Sequence, residues 1–383
     1  MFHALLAIIY LSFISLGLPD ALLGAAWPVM YPAMGVPVSY AGIVSMIISA
    51  GTVVSSLQSN RVTRWLGTGK VTAISVAMTA AGLLGFSSSR SYMALCLWAI
   101  PYGLGAGSVD ASINNYAAVH YSTRNISWLH CMWGVGASIG PYIMEYALTS
   151  GYSWRSGYRW VGLFQVCLTA VLFLSLPLWK ISKNPETASS DKPLSLSEVF
   201  AIPGVKQIVT AFLCTCTIES TTGLWAGSYL ALHRGVTPEA AAGFSGLFYL
   251  GITVGRAVSG VIAAYLSDRQ MVHLGQTLVT AGTLTMLLPL GTPAALAGLL
   301  IIGLGCAPLY PCIMHSIPVY FGADRSQAII GTQMACAYTG TCLIPPLFGL
   351  LANHISIALL PPFLLALMGL MIVMYRRVCR ICG

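Results

Sequence analysis

The sequence predicts an all-α membrane protein: twelve transmembrane helices in two pseudo-symmetric six-helix bundles. Three observations carry this. Of the 383 residues, 57% are apolar and only 7% charged, and mean hydropathy is +0.80, whereas a soluble domain carries about 25% charged residues. Twelve apolar runs each approach the ~20 residues that a helix needs to cross a bilayer. Short motifs also recur 200 residues apart, so the chain repeats itself.

The runs occupy 3–30, 39–59, 70–88, 92–119, 127–149 and 158–180 in the first half, then 203–232, 240–266, 271–290, 294–317, 327–352 and 355–376 in the second. Gly and Pro are abundant inside them, as membrane helices tolerate. The opening MFHALLAIIY lacks a basic n-region and its apolar run is long, so it reads as a span and not as a cleavable signal peptide. The longest polar stretch, Ile181 to Glu198, mixes Pro, Ser, Thr and both charge signs. It reads as a flexible linker. The expected organisation is therefore a first bundle over 1–180, a linker over 181–202 and a second bundle over 203–383.

The repeat is carried by four matches. Gly35-Val36 and Gly235-Val236 precede the second and eighth runs. Gly103-Leu104-Gly105 answers Gly303-Leu304-Gly305, and Ala118-Val119-His120-Tyr121 resembles Pro318-Val319-Tyr320-Phe321. The offset then drifts to 204 at Pro141 and Pro345.

The net charge of +8 is explained by orientation, not by nucleic acid. With the N-terminus placed in the cytoplasm, thirteen Lys and Arg fall on the cytoplasmic side and four outside, with Arg256 inside a helix. Both termini are then expected in the cytoplasm. The short loops and Gly-rich helices suggest a bacterial inner membrane. The eleven cysteines are scattered through the apolar runs as small buried hydrophobes. The close pairs Cys214/Cys216 and Cys379/Cys382 lack His or acidic neighbours that would complete a metal site, so no metal or other cofactor is implied.

Chemistry concentrates where ionisable groups lie inside apolar runs, because a carboxylate at bilayer depth costs a few kcal/mol on insertion scales. Asp20 is about eighteen residues into the first run, and Asp110 lies fourteen residues before Arg124 in the fourth. Both read as protonatable carboxylates. Asn114 is one turn beyond Asp110 on the same face, and Asn115 follows it. His130 and Trp133 lie in the fifth run. Glu219 is the near counterpart of Asp20 in the repeat, and Arg256 in the eighth run needs a partner, so a Glu219–Arg256 ion pair is expected. Trp133, Trp225 and Tyr229 are candidates for stacking on a sugar ring; His315 and Gln333 are candidate cavity residues. Trp27 and Trp154 read as interface anchors, and Glu145 is expected to reach the interface. For each polar residue the alternative is a structural hydrogen bond between helices.

Six plus six helices, a cytoplasmic middle linker and basic loops after the second and eighth runs resemble the major facilitator superfamily. Its Gly-Asp-Arg-Gly-Arg type signature survives as Ser267-Asp268-Arg269 and Gly275, and as Ser59-Asn60-Arg61 followed by Gly67-Thr68-Gly69-Lys70, with Asn in place of Asp. Within the superfamily the chain looks most like the fucose/glucose–proton symporter branch (fucose permease-like). The resemblance rests on Gly17-Leu18-Pro19-Asp20, on the stretch Gly103 to Asp110, on Trp133-Gly134-Val135-Gly136-Ala137 and on Gly255 to Gly260. It implies that Asp20 and Asp110 carry proton coupling, with Asp replacing the branch's Glu in the fourth helix. It implies that His130 and Trp133 stand where the branch holds a Gln and an Asn near its sugar. The His-x-x-Trp-Gly pattern is closer to the branch's sodium-dependent glucose-transporter-like relatives.

The expected function is proton-coupled symport of a small polar solute, a monosaccharide or similar polyol, by a monomer in the lipid bilayer. Sodium is the nearest alternative coupling ion. Proton-driven export of amphipathic compounds is the alternative within transport. No G-x-x-x-x-G-K-[ST] motif is present to drive transport with ATP. An intramembrane enzyme lacks its Ser/His, paired-Asp or metal-ligand spacing, and a membrane sensor lacks a signalling domain.

Overall fold

Apart from two single turns of 3-10 helix, every regular element among the described residues is α-helix. The structure is a computed structural model that describes residues 2–121, 123–179 and 196–382. The first half comprises α1 (Phe2–Asp20), α2 (Leu22–Ala33), α3 (Tyr40–Leu66), α4 (Thr68–Ser88), α5 (Tyr92–His120), α6 (Thr123–Thr149) and α7 (Trp154–Leu174). The second comprises α9 (Val205–His233), α10 (Pro238–Ile262), α11 (Asp268–Leu287), α12 (Gly291–Phe321), α13 (Ala323–His354) and α14 (Leu360–Ile381). The expected linker falls outside the described residues as far as 195, and its end forms a short helix, α8 (Leu196–Ala201). With α1 and α2 sharing one crossing, each half contributes six spans. Among the described residues nine spans qualify as membrane-crossing on length and apolarity alone. The other three are α6, α9 and α11; α6 carries His130 and Glu145, and α9 carries Glu219.

The halves are built alike at the level of single contacts. In the first, α5 packs on α3 and α4; in the second, α12 packs on α10 and α11. A side chain at Gly103 would strike the carbonyl of Ile48, and one at Gly303 the carbonyl of Phe248. Gly105 lies against the Ser75 carbonyl and Gly305 against that of Gly275. All of these positions differ by 200 between the halves. The repeated Gly-Leu-Gly is thus a packing device: small residues let helix backbones approach closely where the bilayer supplies no hydrophobic drive between helices.

The first apolar run, expected as one helix, breaks in two. Pro19 has no N–H to give the Ser15 carbonyl and its ring crowds that carbonyl. The helix ends at Asp20, and α2 starts at Leu22. The freed Ser15 carbonyl accepts a hydrogen bond of 2.6 Å from the buried Nε2 of Gln165 in α7. Gln165 is held in turn by the Thr79 hydroxyl of α4, which donates to its Oε1. Broken helices persist in membranes only where such partners satisfy the backbone, and here the break sets Asp20 at mid-span.

The two halves meet through α6 on α10, α3 on α13 and α2 on α9. Their close approaches cluster in the part of the span away from the termini. Gly24 of α2 has no room for a side chain against the backbone of Gly223 and Leu224, and Gly42 of α3 abuts Pro346. Cys342 Sγ lies 3.7 Å from the Met46 carbonyl oxygen. Toward the termini, a side chain at Gly260 of α10 or Gly331 of α13 would meet nothing within 4 Å. The molecule is sealed at the far end and parted at the end that bears the termini.

Two expectations for the far end are corrected. Trp27 and Trp154 are buried and do not anchor at the interface: the Trp27 indole donates to the Val38 carbonyl at 2.7 Å, and Trp154 packs edge-on to Tyr158. Glu145, four residues from the end of α6, lies half-buried over Gly243, inside the α6–α10 contact.

Candidate functional site

Asp20 is the centre of the candidate site. It is exposed although it lies at mid-span, so the surface it presents is that of the central cleft. Its Oδ1 accepts from the Tyr102 hydroxyl of α5 at 3.1 Å, and its Oδ2 from the Trp133 indole of α6 at 2.9 Å. Glycine packing makes the second bond geometrically accessible. Gly17 of α1 sits on the Trp133 carbonyl and Gly136 of α6 on the Ile14 carbonyl, so the two backbones touch and the indole reaches the carboxylate. Among the described residues no cation pairs with Asp20. Its charge does act on its surroundings: Asp110 and Glu219 both lie within electrostatic reach.

The other face of Trp133 meets the second half. The Arg256 guanidinium carbon lies 4.9 Å from the centroid of the indole ring, within cation–π range. Its Nη1 donates to the His130 carbonyl at 3.3 Å, and its Nη2 is 4.0 Å from Glu219 Oε1. The expected Glu219–Arg256 pair is therefore present as a contact at the limit of ion-pair distance. Its side chains are only 22% and 19% exposed. Arg256 bridges the halves: its carboxylate partner is in α9, its aromatic and carbonyl partners in α6. Neutralising Arg256 alone, as Arg256→Gln, leaves Glu219 uncompensated, and the activity of the reconstituted protein should fall about tenfold or more. The double change with Glu219→Gln should recover part of that loss. A double variant no more active than the single ones, measured side by side in reconstituted vesicles, excludes the pairing.

Asp110 and Asn114 form a second cluster. Asn114 Nδ2 donates to Asp110 Oδ1 at 2.9 Å, as one helical turn allows. Asp110 is eight residues along α5 from Tyr102, so it lies about 12 Å nearer the parted end. Tyr310 of α12 and Tyr338 of α13, from the other half, are within electrostatic reach of it. Asn115 is exposed on a different face of α5. The His130 ring packs edge-on to Phe13 at 5.8 Å, and its contact with the site is through its backbone.

Four candidates lie outside these two clusters. Trp225 is fully buried against Phe348, with its indole donating to the Pro345 carbonyl at 2.9 Å. Tyr229 is buried at the far end, where its hydroxyl donates to the Met286 carbonyl at 3.3 Å and accepts from Arg234. Both rings belong to helix packing and are not in the cleft. His315 is on the surface at the parted end, 79% exposed and 2.6 Å from Asp268 Oδ2. Gln333 is fully buried in α13, and neither its amide nitrogen nor its amide oxygen has a hydrogen-bond partner. Three residues escaped the sequence reading: Tyr102, Gln165 and Tyr249, whose ring meets Trp133 edge-on at 6.4 Å. Gln165 was findable as a lone amide in an apolar run. No pattern distinguishes the two tyrosines from packing aromatics.

A model of the Major Facilitator Superfamily matches residues 9–345. The chain is similar to "Bypass of stop codon protein 6" of Saccharomyces cerevisiae, 22% identical, over 92% of this chain and 77% of that protein. It is similar to "Membrane protein MosC" of Rhizobium meliloti, 20% identical, over 91% of this chain and 84% of that one. Among solved structures, a mutant form of the nucleoside transporter NupG aligns with a TM-score of 0.75 at 12% identity, covering 97% of this chain and 98% of that one. A bacterial homologue of the human lysosomal transporter Spinster, in an inward-facing and unoccupied conformation, aligns with a TM-score of 0.72 at 12% identity, covering 98% and 94%. These structural likenesses concern the fold.

Proposed function

Because the chain belongs to the major facilitator superfamily, and is thus a membrane transporter and not an enzyme, we propose that it is a proton-coupled symporter of a small polar solute, a monosaccharide or similar polyol. The observation that carries the reading is Asp20: a mid-span carboxylate open to the cleft, held by two hydrogen-bond donors, with no cation partner among the described residues. Such a group can take up a proton without breaking an ion pair. Asp110, with Asn114 beside it, offers a second carboxylate nearer the parted end. Glu219 and Arg256 then join the coupling machinery as the link between halves.

The solute would sit where Trp133, Tyr249 and Arg256 converge. An indole face, a phenol and a guanidinium suit a ring with an apolar C–H face and hydroxyl edges. Asn114, beside Asp110, stands on the approach from the parted end, and His130 joins the site through its carbonyl, which holds Arg256. The motifs at Gly17 to Asp20 and Gly103 to Asp110 favour the fucose/glucose–proton branch within the superfamily. With both termini in the cytoplasm, as the Lys and Arg distribution favours, and the membrane a bacterial inner one, as the short loops and Gly-rich helices suggest, the parted end is the inward one and the far seal faces outside. A monomer suffices, since each half supplies part of one site.

The test is uptake into proteoliposomes under an imposed pH gradient, with a panel of monosaccharides, polyols and nucleosides, comparing the wild type with Asp110→Asn. Accumulation of one solute class, lost in the variant, supports the reading. Accumulation only under a sodium gradient changes the coupling ion. No accumulation under either gradient, with extrusion of amphipathic dyes instead, replaces symport by export.

A further inference from the structure

On the outside of the second half, away from the cleft, α11 and α14 enclose a groove of about 890 Å³. Neither helix packs on the first half, so the groove faces the bilayer. Its composition is graded along the span. At the end near the termini it carries three guanidinium groups, from Arg269 at the start of α11 and from Arg376 and Arg380 one turn apart near the end of α14. All three are exposed, and among the described residues none has a carboxylate within ion-pair distance. The one acid beside them in sequence, Asp268, is engaged by His315. Deeper, the walls pass through Thr277 and Thr280 to Ala281, Leu284 and Ile372.

The floor is built and fixed. His273 Nδ1 is 3.2 Å from Gln276 Oε1, and the buried Gln276 donates through Nε2 to the sulfur of Met371 at 3.0 Å. The His273 ring meets Tyr375 edge-on at 5.9 Å. From Arg269 to Leu284 the groove runs along fifteen residues of helix, about 22 Å, which is more than one leaflet of a hydrocarbon core about 30 Å thick.

We propose that this groove is a binding site for one anionic phospholipid, with its phosphate among Arg269, Arg376 and Arg380 and an acyl chain along Ala281, Leu284 and Ile372. Three uncompensated cations at the depth of the headgroups define the charge of the ligand. The change from guanidinium through hydroxyl to aliphatic wall follows the phosphate, glycerol and chain of such a lipid. A free phosphate would satisfy the cations and leave the apolar length of the groove unfilled.

Native mass spectrometry of the full chain in detergent tests this, with phosphatidylglycerol, phosphatidylcholine of the same chains, glycerol 3-phosphate and inorganic phosphate as separate additions. The wild type should retain a single phosphatidylglycerol and should not retain phosphatidylcholine. The triple variant Arg269→Gln, Arg376→Gln, Arg380→Gln should bind it about a hundredfold more weakly, at roughly fivefold per cation. Arg377→Gln, at an exposed position outside the groove, should bind as the wild type does. Equal retention of phosphatidylcholine overturns the proposal. So does displacement of the lipid by millimolar phosphate or glycerol 3-phosphate, which makes the site an ion site. A triple variant that binds normally also overturns it. The comparison among additions needs only the wild type, so it holds if the triple variant fails to fold.

Discussion

Asp20→Asn should abolish gradient-driven accumulation while leaving solute exchange within a few-fold of the wild type. The side-chain amide of Asn keeps an oxygen for the Trp133 indole or the Tyr102 hydroxyl, which donate to Asp20 at 2.9 and 3.1 Å. What it cannot do is bind and release a proton. One pH unit of gradient stores about 1.4 kcal/mol per proton, enough to hold a solute about tenfold above equilibrium at one proton per solute. A membrane potential adds about 2.3 kcal/mol per charge per 100 mV. The variant should therefore equilibrate its solute without concentrating it, whatever gradient is imposed. The measurement is paired: net uptake against a pH gradient, and counterflow of labelled solute with no gradient. Tenfold accumulation in the variant excludes Asp20 as the coupling group. Loss of both activities moves it from coupling to solute binding or folding.

Gly24→Leu should stop transport by a different route. Gly24 of α2 lies on the backbone of Gly223 and Leu224 of α9, where two helix backbones have no side chain to rearrange. Overpacking costs about 1–3 kcal/mol even where neighbours can shift, and here they are main-chain atoms. The sealed far end should lose about a hundredfold of its population to states with that end open. Cys342, whose sulfur is 3.7 Å from the Met46 carbonyl oxygen across the α3–α13 seal, reports this directly. In a chain retaining Cys342 alone of its eleven cysteines, a membrane-impermeant maleimide added from the far side should label the variant faster than the parent. Unchanged labelling together with normal transport would show that the α2–α9 contact does not gate the far end.

The fold was legible because the bilayer imposes long apolar runs and because the repeat exposes packing contacts. Gly103 and Gly303 stand out in sequence for the reason they matter in space: each lets α5 or α12 touch a neighbouring backbone. Asp20, Asp110, Glu219 and Arg256 were legible because charge at that depth is costly, so few such residues are present to choose among. Aromatic residues carry no such signal. Trp133, Trp225 and Tyr229 look alike in an apolar run, yet only the first faces the cleft. The difference lies in helix rotation and in which carbonyl takes the indole or phenol proton. The break at Asp20 was half legible. Pro19 announces a freed carbonyl, but its partner, Gln165, is 150 residues from Ser15 and no local pattern joins them.

That distant partner bears on how the protein is made. A chain delivered to the membrane N-terminus first inserts its bent leading helix long before α7 exists. Through the arrival of α3, α4, α5 and α6 the Ser15 carbonyl has no Gln165 amide to accept from, and Asp20 gains its two donors only as α5 and α6 enter. The first half therefore has a natural checkpoint at its sixth crossing. Nascent chains stalled before Gln165 should leave the leading helix mobile and open to chaperones, and those released just after it should hold the bend.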